Sequence, residues 1–243
     1  MIPCSLFALW LIDWKLEYDL RSVLLGSVVG FTGAGGQLIL FIDLRQGPAY
    51  IIFPIVSLYP VVSIFLSVLL LKEKISRKSV TGVALAMVAV FMLAYQPPSA
   101  NHASSYLWLV LAISIFVMWG IQAYVMKFSN QTMKAESIFF YMMLTGILLD
   151  PIALAMTDFS QPINFSFKGP GATALIQQLN SIGALTIVYA LRHGKALIVV
   201  PMTSLAPLIT IVLSLCIYLV LPHWVTGTGM AVATAAIYLL AME

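Results

Sequence analysis

LRQGPAYIIFPIVSLYPVVSIFLSVLL, residues 44–70, decides the architecture of this chain, because LRHGKALIVVPMTSLAPLITIVLSLCI, residues 191–217, repeats it at an offset of 147 residues without a gap. Leu44, Arg45, Gly47, Ala49, Ile51, Pro54, Ser57, Leu58, Pro60, Ile64, Leu66 and Ser67 each meet an identical residue. Farther along, Gly82, Ala84, Ala86, Ala89, Leu93 and Ala94 meet Gly229, Ala231, Ala233, Ala236, Leu240 and Ala241. Apolar segments resemble one another by chance, but chance does not keep two prolines, two serines and an LRxG turn in register. The chain therefore contains an internal duplication.

Both copies are almost wholly apolar, and so is the rest of the chain. Hydrophobic residues make up 61% of the 243 and charged residues 9%, where a soluble domain carries about 25% charged residues. The mean hydropathy is +1.02. Apolar runs occupy residues 22–43, 49–71, 80–97, 105–126, 136–157, 171–190, 196–221 and 225–242. Most are long enough to cross about 30 Å of hydrocarbon as a helix. The expected fold is an all-α polytopic membrane protein with the lipid bilayer as its solvent. The run at residues 1–12 is too short to span, and it lacks the basic leader and small-residue cleavage site of a signal peptide.

Lysines and arginines orient the spans, since they are retained on the cytoplasmic side. With the connections numbered alternately, one side holds ten of them: Lys15, Arg21, Lys72, Lys74, Arg77, Lys78, Lys127, Lys134, Arg192 and Lys195. The other side holds Arg45 and Lys168. The C-terminus is expected in the cytoplasm, Met1 outside, and the whole chain in a cell membrane, the inner membrane if the source is bacterial. KEKISRK, beginning at Lys72, falls on the stretch that follows Tyr218, LVLPHWV, which has lost every lysine and arginine. Such a loss is what an inverted repeat needs: with five spans per half, the second half enters from the opposite face. Two inverted five-helix repeats are expected, residues 1–99 and 100–243, with the first lacking its opening helix. About nine of ten spans are then present.

The duplicated stretches resemble the EamA-like branch of the drug/metabolite transporter superfamily, whose members are ten-span proteins built from two inverted five-helix repeats. In that family the proline-containing helix commonly ends in a glutamate, followed by a basic turn and a glycine-led last helix. Glu73 and Gly82 match this pattern in the first repeat. In the second, Val220 stands where the glutamate is expected, and Pro222 and His223 fill the turn. The resemblance implies a secondary transporter that moves a small metabolite, amino acid or drug-like solute by alternating access, by efflux or exchange. A nucleotide-sugar or sugar-type carrier of the same superfamily is the alternative, and so is a non-transporting membrane scaffold if the first helix is absent from the product.

Several residues are candidates for the substrate cavity. Pro54 and Pro60 in one span, and Pro201 and Pro207 in its mate, each remove a backbone hydrogen bond and mark helix bends. Ser57, Ser204 or water are expected to serve the freed carbonyls, and Tyr59 sits beside the bend. The bends either line a midplane cavity or only shape packing. Polar amides avoid hydrocarbon and face the interior of a bundle, which selects Gln37, Gln122, Gln177 and Asn180. Gln177 and Asn180 share a helical face; the competing reading is interhelical hydrogen bonding. Tyr59, Trp119 and Tyr141 can stack on a solute or serve as packing and interface anchors, with Tyr59 and Trp119 taken for the cavity, and the stripe of Gly26, Gly30 and Gly33 reads as packing. Asp150, the carboxylate well inside an apolar run, is a possible coupling residue, although Asp150-Pro151 also reads as the cap and start of a second helical piece.

Other classes of function find no support in the sequence. There is no Walker sequence for ATP, and the basic residues form no cluster for nucleic acid. Cys4 and Cys216 lie far apart without metal-ligand spacing, and His102, His193 and His223 all fall in loops. Neither enzymatic activity nor a cofactor or metal is expected. The expected partner is a small-molecule substrate, and a homodimer is an admissible assembly.

Overall fold

The computed structural model describes residues 1–71, 76–93, 106–157, 169–194, 199–200, 203, 213, 215–216 and 223–241. Among these the elements are all helical: α1 (Ile2–Leu11), α2 (Leu20–Asp43), α3 (Ala49–Ser57), α4 (Pro60–Leu71), α5 (Arg77–Leu93), α6 (Leu107–Ser129), α7 (Ala135–Ala155), α8 (Pro170–His193) and α9 (Trp224–Ala241). Helices satisfy every main-chain polar group internally, which hydrocarbon demands. Among the described residues five stretches are long and apolar enough to cross a membrane: Leu20–Asp43, Ala49–Leu70, Leu107–Ser129, Ala135–Ala155 and Pro170–His193.

Ala49–Leu70 is one span with a tightened middle. Pro60 has no N–H to continue the helical ladder and restricts the residue before it. Leu58 and Tyr59 therefore bond three residues back, to the carbonyls of Ile55 at 3.2 Å and Val56 at 3.1 Å. Pro54 lies inside α3. The Ser57 hydroxyl donates to the Phe53 carbonyl within its own helix. It is thus spent one turn back, and serves neither Tyr50 nor Val56, the carbonyls that Pro54 and Pro60 would have bonded.

Asp150 and Pro151 do not begin a second helical piece. Helix α7 runs through both to Ala155. Proline's φ fits the helix, and so close to the helix end its missing N–H removes a single bond.

The chain forms two compact units, each drawing on both sequence halves: residues 1–35 with 125–193, and residues 36–124 with 194–243. In the first unit, α2 and α7 approach closely through glycine. A Cβ on Gly26 would lie 2.6 Å from Tyr141 Cβ, and one on Gly30 would lie 2.9 Å from Met142 Cα. Contacts rise together along the two helices, so they run parallel. Three chain ends gather at one end of this unit. Glu17 accepts from the Lys134 main-chain N–H at 2.7 Å, and Tyr141 donates to the Glu17 carbonyl at 2.6 Å. Lys127 Nζ donates to the Leu191 carbonyl at 3.1 Å, and Asn130 to that of Val188 at 3.2 Å. Three of the lysine- and arginine-bearing connections thus lie together.

In the second unit the core holds Leu40, Ile52, Ile55, Leu58, Trp108 and Ile115, together with the small-residue faces of α5 and α9. Ala86 and Ala89, and their register mates Ala233 and Ala236, are each at most 1% exposed. A Cβ on Gly229, near the start of α9, would meet Met92 and Leu93 at the end of α5. The two helices pack along their length, so they run antiparallel.

Candidate substrate-binding site

The residues expected to bind solute separate by unit. Gln37, Ser57, Tyr59, Trp119 and Gln122 belong to the second, Gln177, Asn180 and Asp150 to the first. Pro201, Ser204, Pro207 and Glu73 lie outside the described residues.

In the second unit glycine again sets the approach. A Cβ on Gly36 would stand 2.6 Å from Trp119 Nε1, so the absence of a side chain there makes room for the indole. Gly120, the next residue on α6, faces Val62 and the Tyr59 carbonyl, the latter 2.9 Å from where a Cβ would be. Helix α6 is thereby seated against the tightened stretch between α3 and α4. The Tyr59 ring meets Trp119 edge to face, with centroids 6.2 Å apart at 90°, the geometry that aromatic quadrupoles favour.

The Tyr59 hydroxyl reaches across to the duplicated span. It hydrogen-bonds with Thr203 and lies 3.4 Å from the Val200 carbonyl. Thr203 donates to that carbonyl at 2.7 Å, which leaves its oxygen to accept from Tyr59. Thr203 and Val200 are the register mates of Val56 and Phe53. The bend of one proline-bearing span is therefore tied to the equivalent part of the other.

Tyr59 and Trp119 are both half-buried, as are Gln37, next to Gly36, and Gln122, one turn beyond Trp119. Among the described residues no group of His, Cys, Asp and Glu could hold a metal ion. Ser57 is buried and bonded within its own helix. Thr203 was not foreseen from the sequence. Its signal in the sequence is adjacency to Ser204, the mate of Ser57.

In the first unit, Gln177 and Asn180 stand exposed on α8, while Gln178 between them is half-buried and donates to Cys4 Sγ at 3.0 Å. Asp150 is exposed on α7. Tyr141 is committed to packing against Gly26 and to the Glu17 carbonyl.

A family model described as the EamA-like transporter family matches residues 1–95 and 106–242. The chain belongs to the EamA-like transporter family. This EamA-like chain is 24% identical over 203 residues to Protein LicB of Haemophilus influenzae (strain ATCC 51907 / DSM 11121 / KW20 / Rd), a match covering 80% of this chain and 68% of that protein. A crystal structure of a protein 17% identical in sequence superposes with a TM-score of 0.67, covering 98% of this chain and 80% of the other. That likeness shows a shared fold. The EamA-like chain is thus a multi-pass integral membrane protein of a transporter family.

Proposed function

We propose that the protein is a secondary transporter that moves a small metabolite, amino acid or drug-like solute by alternating access, by efflux or exchange. The reading rests on the Tyr59–Trp119–Thr203 cluster at the bend of a proline-broken span. Discontinuous helices are where carriers of this kind expose polar groups to solute near mid-depth. Gln37 and Gln122 would add hydrogen bonds there. Gln177 and Asn180 are proposed as solute contacts of the other unit, with Ser57 and Ser204 supporting the bends made by Pro54, Pro60, Pro201 and Pro207. Asp150 is retained as a possible coupling residue.

The architecture behind this reading is two inverted five-helix halves, residues 1–99 and 100–243, with about nine spans present. Two observations support it. Identity holds register across 147 residues, and the mates α5 and α9 run antiparallel, as inversion requires. The proposed placement is a cell membrane, with the C-terminus and the basic connections cytoplasmic.

Purified protein reconstituted in liposomes and offered a panel of amino acids, organic cations and small metabolites should move at least one class. Tyr59→Phe removes the Thr203 bond and should slow that flux. Trp119→Ala removes an aromatic contact of about 0.5–1.5 kcal/mol, roughly a two- to tenfold loss of affinity. If no solute moves, or if Trp119→Ala transports like the native protein, the assignment is wrong.

A further inference from the structure

Asp43, the last residue of α2, is completely buried, and neither carboxyl oxygen has a hydrogen-bond partner among the described residues. The connection that follows folds back on it. Gln46 and Gly47 both donate to the Asp43 main-chain carbonyl at 2.9 Å. Gly47 in turn bears on Trp108, where a Cβ would come within 3.0 Å. The charged or titratable groups described at this end are Arg45, exposed on the connection, Tyr50 on α3, Tyr106 before α6 and His223, exposed before α9; none donates to the carboxyl.

A carboxylate stripped of water and given no donor is among the costliest groups to bury, and such a group keeps its proton instead. Among the described residues nothing in the turn explains the acid. The register mate of Asp43 is Ala190, and the same LRxG sequence follows it. An ionisable residue inside a membrane protein that the fold does not need points to a function in moving charge.

We propose that Asp43 is the proton-exchange site of the transport cycle, neutral in the conformation seen here and ionised when residues 44–48 lift and admit water. The carboxyl O–H bond then breaks, its electron pair stays on Asp43, and the proton passes to the entering water; in the alternate conformation of the carrier the carboxylate takes up a proton from water of the opposite side, so that one proton crosses per cycle. Arg45, two residues on in the sequence, is available to accompany the exposed carboxylate. The inference rests on the transporter reading.

Infrared difference spectra of the full chain in liposomes, native minus Asp43→Asn, should contain the carbonyl stretch of a protonated carboxylic acid at pH 7. Absence of that band overturns the proposal. The second measurement uses a solute that the native protein moves. A pH gradient should drive its accumulation, and Asp43→Asn should keep solute exchange while losing that accumulation. Undiminished accumulation in Asp43→Asn, or accumulation driven only by a sodium gradient, also overturns it. If the band is present but the native protein moves no solute, the transporter reading fails and takes the coupling with it. If solute moves and the band is missing, only the role of Asp43 falls.

Discussion

Asp19 shows how a single side chain starts a span. It precedes α2 and accepts from the Ser22 main-chain N–H at 3.1 Å, satisfying one of the donors that a helix start leaves open. That bond, with the Ser22 side chain the largest influence, holds the carboxyl below its ordinary value of 3.8. The folded value is depressed, so the cap stabilises α2 above about pH 4 and is lost as pH falls through the lower folded value. Amide exchange should show reduced protection at Ser22 in strong acid. Asp19→Asn, which still caps, should lose this pH dependence but keep the protection at neutral pH; equal acid sensitivity in Asp19→Asn would show that the cap is not responsible.

At the same scale, Tyr59 and Trp119 were readable as candidates because aromatic residues beside a helix bend are few. Their partner Thr203 was not, since a contact between residues 144 apart is fixed by how the spans pack. Asp43 was passed over for a related reason. A carboxylate at the edge of an apolar run looks solvated, and only the fold shows the connection and Trp108 closing over that end.

Among elements, the spans were legible because hydrocarbon thickness and the 1.5 Å helical rise fix their length. The tightened middle of Ala49–Leu70 was legible from Pro60. The supposed restart at Asp150-Pro151 was not borne out, because a cap signature inside an apolar run competes with a ladder that tolerates one missing bond. The α2–α7 approach gives a direct test. Gly30 faces the backbone of Met142 and the Thr145 side chain, neither of which can yield cheaply. Gly30→Val should destabilise the protein by about 1–3 kcal/mol, read as a lower midpoint of unfolding in detergent. Gly146→Ala, where a Cβ would meet nothing within 4 Å, should be neutral or mildly stabilising.

For the molecule as a whole, loop charge predicts sidedness, whereas the contacts within each unit show only which connections share an end. In the first unit, three of the connections assigned to the cytoplasm lie together. In the second, the connection bearing Arg45 lies against the start of α6. With Cys4 and Cys216 replaced by serine, a membrane-impermeant thiol reagent added to intact cells should label His223→Cys. Gln131→Cys should react only after permeabilisation. The reverse pattern would invert the whole topology.

The α5–α9 seam carries one more implication. Its two sides are related in sequence and run antiparallel, with alanines at matching places; on the proposed inverted-repeat reading it would be the counterpart, within a single chain, of an isologous interface. A polypeptide of half the length would hold both surfaces of that contact, provided that copies entered the bilayer facing both ways. On the same reading, a chain holding both copies would remove that need for dual insertion. Each copy is then free to diverge, as Asp43 opposite Ala190 and the basic turn opposite an uncharged one already have.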